Sequence, residues 1–216
     1  MNTMQMDDPC GTGILLSTEQ QDVLNELINI GFGRAASSLS MLVSQRVLLN
    51  VPRIQICNLE QIGVSLNTLS NGQLVNVHQI FRGKLTGHAM LLLDINSASM
   101  LVDLMNGGVG QSGPITAISQ EVLAEIGNIV INAFLGAFGN LLKIHLTFTV
   151  PLLKTETLVQ LLQSLLKGDR GSRYAMMVKI GFQLSQQHVS GYLVVIMDAH
   201  SLEALLHTLK KESMLS

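Results

Sequence analysis

The 216 residues are 47% hydrophobic and only 13% charged, with a formal net charge of −2. That is enough apolar material for a sizeable core, and the charge balance gives no reason to expect a nucleic-acid partner. The two cysteines, Cys10 and Cys57, have neither metal-site spacing nor the density of a secreted disulfide scaffold, which points to a reducing cytoplasm.

In chain order, residues 1–13 read as a disordered tail with no periodicity and no signal-peptide pattern. A long helix then opens at Ser17 or Thr18, with Thr18 and Gln21 matching a capping box. Its apolar face is Val23, Leu24, Leu27, Ile28, Ile30, Ala35, Leu39 and Leu42. Residues 46–56 read as a strand containing Pro52, which places that strand at an edge or a bulge. A short helix or loop over 58–67 precedes two strands, Gln73–Arg82 and Leu85–Asp94, turning at Gly83. Asn96–Asn106 reads as a helix ended by Gly107-Gly108, and Gly107–Pro114 is a linker. Ser119 is read as the cap of a second long helix to about Leu142, followed by a strand over 143–152 carrying Pro151. A short helix over Thr155–Leu166, a hairpin of Arg173–Leu184 and His188–Met197, and a helix over His200–Lys211 complete the chain. The longest apolar runs, Ala89–Leu93 and Tyr192–Met197, are too short to cross a bilayer, so no membrane insertion is expected.

The same element order is thus written twice. Glu26, Asn29 and Pro52 recur as Glu125, Asn128 and Pro151, every pair 99 residues apart, with Asp22 answered by Glu121. The segments beginning at Gly87 and Gly191 match each other 104 residues apart, so about five residues separate the two registers. We read a single α+β domain over 14–216, internally duplicated into halves of about 14–108 and 115–212, with a mostly antiparallel sheet under two long helices.

Positions i, i+4 and i+7 share one helix face, so each copy draws an acid–acid–amide stripe: Asp22, Glu26, Asn29 and then Glu121, Glu125, Asn128. A solvated face is the usual meaning of such residues. Here the residue types recur with their spacing, and asparagine, a poor helix former, sits mid-helix twice. A carboxamide both donates and accepts hydrogen bonds and can orient a water; a carboxylate can pair with a lysine or arginine. No Ser/His or Cys/His arrangement accompanies them. The pattern suits a reaction in which water is aimed, such as phosphoryl hydrolysis. No glycine-rich phosphate loop precedes a helix, which argues against nucleotide binding.

These residues resemble the CheC/CheX/FliY family of chemotaxis phosphatases, whose motif is Asp or Ser, three residues, Glu, two residues, Asn, twenty-two residues, Pro. Asp22, Glu26, Asn29 and Pro52 match it in full, while Glu121 departs from it at the head of the second copy. With two motifs, the chain is most similar to the CheC branch. The resemblance implies a CheC-like fold and hydrolysis of the aspartyl phosphate of a CheY-type response regulator. It implies that Asn29 and Asn128 orient the water and that Glu26 and Glu125 pair with the regulator's active-site lysine. It implies that the regulator brings the Mg²⁺, this chain binding no cofactor or metal itself. Pro52 and Pro151 then shape the neighbouring strand, Asp22 and Glu121 support, and the receptor deamidase CheD is a second partner. Two other readings stay open: a non-catalytic adaptor holding CheD or phosphorylated CheY, and a structural relative of the flagellar switch proteins. The six histidines show no paired ligand spacing, and the eleven methionines read as core filler.

Overall fold

The computed structural model describes residues 16–69, 72–105, 116–167, 173–184 and 187–214. The expected tail at 1–13 and the Gly107–Pro114 linker lie outside them. The chain runs α1 (Thr18–Val43), β1 (Val47–Asn58), a one-turn helix α2 (Ile62–Ser65) between two 3-10 turns, β2 (Gln73–Gly83), β3 (Gly87–Asp94) and α3 (Ile95–Met105). It continues with α4 (Ala117–Leu142), β4 (Leu146–Phe148), β5 (Leu152–Thr157), α5 (Leu158–Leu166), β6 (Arg173–Leu184), β7 (Gln187–Asp198) and α6 (Ala199–Ser213). The fold is α+β, as expected from the element order.

One seven-stranded sheet runs in the order β1-β6-β7-β3-β2-β4, with β5 also on β2. Each described pairing is antiparallel. The hairpin β2–β3 takes its outer neighbours β4 and β5 from the C-terminal part of the chain, and the hairpin β6–β7 takes β1 from the N-terminal part. The two hairpins meet at the β3–β7 ladder, where Met90 faces Val194. These two residues are 104 positions apart, the offset of the second repeated segment.

The sheet separates two cores. On one face α1, α3, α4 and α6 cover Val75, Val77, Phe81, Leu91, Val178 and Leu193. On the other, α2 and α5 cover Leu74, Met90, Leu92, Met177 and Val194. Helix α4 is long and apolar enough to span a bilayer by length and composition, although it holds no unbroken apolar run of that length. Its apolar side, Leu123, Ile126, Val130, Ile131 and Phe134, is instead buried in the first core.

Several local expectations are corrected. The box that opens α1 is Ser17 with Gln20: the Gln20 amide N–H donates to Ser17 Oγ at 3.3 Å and the Ser17 N–H to Gln20 Oε1 at 3.0 Å. Gln20 is favoured over Gln21 because its Nε2 also reaches the Leu206 carbonyl on α6, at 3.4 Å, tying cap to core. Thr116, not Ser119, caps α4; Ser119 supplies the N–H that Thr116 Oγ1 accepts at 3.2 Å. Ile30 and Leu42 are 46% and 52% exposed and do not belong to the apolar face of α1. The strand expected over 143–152 is broken. Lys143 closes α4 in the left-handed region, β4 covers three residues, and 149–151 leave the ladder before β5 begins. Thr149 fills the gap: its N–H donates to the Ile80 carbonyl at 3.0 Å and its Oγ1 accepts from the Ile80 N–H at 3.0 Å. Residues 155–157, expected as helix, end β5, and Thr157 caps α5. Pro52 falls where the β1–β6 register shifts between Asn50 and Arg53, so both prolines sit at interruptions of outer strands, where a missing N–H costs no ladder bond.

On the second face His78 and His88 stack at 5.1 Å between ring centroids, with His78 Nε2 and His88 Nδ1 2.9 Å apart. Burial, then His88 and Lys154, push His78 down to about 4. Burial, then Arg173, lower His88. A histidine lowered from 6.5 by folding leaves the unfolded chain binding the extra proton, so its contribution is complete above about pH 6.5 and is lost as pH falls toward 4. The thermal midpoint is therefore expected to fall across that window and to fall less steeply in His78→Gln. An unchanged slope in the variant would show that this pair does not set the acid limit.

Candidate functional site

The first stripe lies on the outer side of α1. Leu24, Leu27, Ile28, Phe32 and Ala35 turn into the core, which leaves Asp22, Glu26, Asn29 and Gly33 exposed. Helix α4 repeats the arrangement: Leu123, Ile126, Val130 and Ile131 face inward, Glu121 and Glu125 are exposed, and Asn128 is half-buried. Each Glu and Asn thus share a helix face as the spacing predicts. The two helices meet through their buried sides. A Cβ on Gly31 would sit 3.3 Å from the Ala133 carbonyl oxygen and from Phe134 Cα. Beside that crossing the Phe32 and Phe134 rings are 5.8 Å apart. Sharing buried sides sends the two stripes to separate outward surfaces.

Glu26, Asn29 and Glu125 make no side-chain hydrogen bond or ion pair among the described residues. Their polar groups are therefore solvated and free to engage a partner without first breaking an internal bond. Gly33 extends the first stripe, and a Cβ built there meets nothing within 4 Å. Packing within the chain does not require a glycine at this position. Gly33→Ala is thus expected to stabilise the protein by about 0.5–1 kcal/mol through helix propensity, and a lowered thermal midpoint would contradict the open space.

Asn128 is placed differently. Gly127 lets α4 press against β2, where a Cβ would overlap the Val77 side chain. Two residues along that face of β2 is Gln79, 1% exposed. Its Nε2 donates to the Thr149 carbonyl at 2.9 Å and to Asn128 Oδ1 at 3.3 Å. Asn132 Nδ2 donates to the same Oδ1 at 2.7 Å. Sequence reasoning passed over Gln79, Asn132 and Thr149. Two signals were present: Gln79 is polar in an alternating strand whose inward partners are Val75, Val77 and Phe81, and Asn132 lies one helical turn after Asn128.

Pro52 lies in β1 and Pro151 in the break between β4 and β5, and neither belongs to a stripe. Neither stripe includes a nucleophile paired with a base. Among the described residues no three His, Cys, Asp or Glu side chains converge as a metal site. What the surface offers is a carboxylate to meet a cation and, one turn away, a carboxamide that can hold a water.

No family model matches the chain. It is 25% identical over 203 residues to the CheY-P phosphatase CheC of Bacillus subtilis, covering 88% of this chain and 93% of that protein. Among solved structures it is similar to Thermotoga maritima FliY, with a TM-score of 0.72 and 20% identity over 92% of this chain and 99% of that one. The FliM middle domain of H. pylori is also similar, with a TM-score of 0.59 and 15% identity over 89% and 99% of the two chains. At these identities the structural likenesses speak for the fold.

Proposed function

We propose that the chain, similar in sequence to CheC and FliY and in fold to FliY, is a member of the CheC/CheX/FliY family of chemotaxis proteins and hydrolyses the aspartyl phosphate of a CheY-type response regulator in the cytoplasm. The observation that carries the reading is the exposed Glu26–Asn29 pair on α1, one turn apart and without an internal partner among the described residues. Glu26 pairs with a lysine of the regulator and fixes its seat. Asn29 then reaches the phosphoryl group and holds a water in line with the bond to be broken. The water oxygen attacks phosphorus, the bond from phosphorus to the aspartyl oxygen breaks, and inorganic phosphate and a free carboxylate leave. Such a transition state is loose, so positioning and charge stabilisation supply most of the rate. The regulator provides the Mg²⁺ that neutralises the phosphoryl oxygens. Glu125 and Asn128 form the second such pair on α4, with Asp22, Glu121 and the two prolines supporting. We also propose that the fold is a duplicated unit whose halves exchange outer strands, each half offering one docking face.

A second reading has the fold likeness to FliM behind it. In that reading the chain is a structural relative of the flagellar switch proteins, a binding module without hydrolysis. The two differ in sign. A phosphatase shortens the lifetime of the regulator's phosphoryl group when the two are mixed with Mg²⁺, and a pure binder leaves it unchanged or lengthens it. Glu26→Lys should raise KM about tenfold or more with little change in kcat, because it repels the lysine during docking. A fall in kcat alone would remove the docking role of Glu26.

A further inference from the structure

We propose that the two sites are unequal because Asn128 is held with its carboxamide oxygen turned inward and filled, and that Asn132 is the residue that holds it. This rests on the phosphatase reading above.

The orientation is set by a group that cannot turn over. The Thr149 carbonyl is backbone and only accepts, so the Gln79 end that meets it at 2.9 Å is the amide nitrogen. That nitrogen has a second hydrogen, and it is directed at Asn128, 3.3 Å away. Asn128 must therefore present oxygen to Gln79 and not nitrogen. Asn132 fits the same polarity, its Nδ2 donating to Asn128 Oδ1 at 2.7 Å. Turning Asn128 over would set its NH₂ against the Gln79 NH₂, and Gln79 cannot turn without opposing the Thr149 carbonyl. A carboxamide oxygen has two lone pairs, and these two donors occupy both. The chain of amides is left with two buried acceptors unsatisfied, Gln79 Oε1 and Asn132 Oδ1. Those losses mark an arrangement that the packing imposes.

The chemistry follows from which end is free. An amide that accepts a hydrogen from the attacking water makes the water's oxygen more nucleophilic. An amide that donates to that oxygen makes it less so. Asn128 has only its Nδ2 to offer, so it can steady a phosphoryl oxygen but cannot draw a proton of the water toward itself. Asn29 has no side-chain hydrogen bond among the described residues and can present either end. The difference is written in the repeat: 99 residues before Asn132 stands Gly33, which has no side chain to hold Asn29. Asn132 thus acts as a positioning residue that restrains the second site, and α4 offers a docking face with slow hydrolysis.

The test isolates the second site in an Asn29→Ala background and follows decay of a phosphorylated CheY-type regulator with Mg²⁺. Adding Asn132→Ala should raise kcat roughly three- to tenfold, the factor that one net hydrogen bond is worth, with KM unchanged because Glu125 is untouched. The thermal midpoint should hold or rise, since the change removes a buried acceptor without a partner. Asn132→Gly, which copies the first site, should also raise kcat. A kcat that stays level or falls in both variants while the thermal midpoint holds would overturn the proposal and make Asn132 an aid to the second site. If the wild-type protein itself leaves the phosphoryl lifetime unchanged, the phosphatase reading fails instead, so the two failures are distinct.

Discussion

Asn29→Ala is expected to lower the rate of regulator dephosphorylation by roughly a hundredfold at the first site, the usual cost of removing one positioned polar group from a reaction that depends on alignment. The loss should fall on kcat, since Glu26, the docking acid one turn earlier, remains. Stability should stay within about 0.5 kcal/mol of wild type, because Asn29 is exposed and makes no side-chain hydrogen bond among the described residues. Asn is also no better than Ala as a helix former, so the helix itself gives no reason for loss. Asn128→Ala should cost less total activity than Asn29→Ala, because the oxygen of Asn128 already has two internal donors. Steady-state rates for the two variants beside their melting curves check both statements, and equal losses would contradict the inequality of the sites.

The largest expected effect on stability is at Phe134. It is 1% exposed, its ring lies 5.8 Å from Phe32 and 4.7 Å from Phe138, and a Cβ added to Gly31 of α1 would come within 3.3 Å of its Cα. Truncating a buried phenylalanine costs about 3–5 kcal/mol, because the lost burial is joined by a cavity that close neighbours cannot fill. Here the α1 and α4 backbones already pass so closely that a Cβ on Gly31 would crowd α4, so collapse is limited. For a chain of this size that corresponds to a fall of roughly 10 °C in thermal midpoint, measurable by calorimetry. Phe134→Ala should also reduce activity at both sites, since the α1–α4 crossing sets the pose of both stripes. A variant that melts like wild type would show that the α1–α4 crossing does not depend on Phe134.

Which parts of this were legible in the sequence depends on the range of the interaction. The helices and hairpins were readable because hydrophobic period and turn residues are local: Val75, Val77 and Phe81 alternate along β2, and Leu24, Leu27 and Ile28 mark α1. The stripes were readable because they repeat with constant spacing. The exchange of outer strands was not, since β1 pairs with β6 more than a hundred residues away and no local pattern encodes that choice. The capping residues were misread by one turn or less because neighbouring Ser, Thr and Gln compete, and at α1 the box residue Gln20 also reaches Leu206 on α6, a tertiary contact. The break at 149–151 depends on Thr149 satisfying Ile80 across the sheet, again a tertiary matter. Within the candidate site, the sequence marks the head of each stripe as the place where the copies differ. Asp22 and Glu121 differ by one methylene, and both are exposed. The structural difference between the copies is Gly33 against Asn132, and it matters only because Gln79 arrives from another element.

The central claim is that the two stripe asparagines, Asn29 foremost, promote the attack of water on an aspartyl phosphate. Its most direct test is the lifetime of a phosphorylated CheY-type regulator in Mg²⁺, measured alone, with wild-type protein and with the Asn29→Ala/Asn128→Ala double variant. The account predicts a lifetime shortened by the wild type and restored to the spontaneous value by the double variant. A wild type that leaves the lifetime unchanged, or a double variant as fast as wild type, would contradict it.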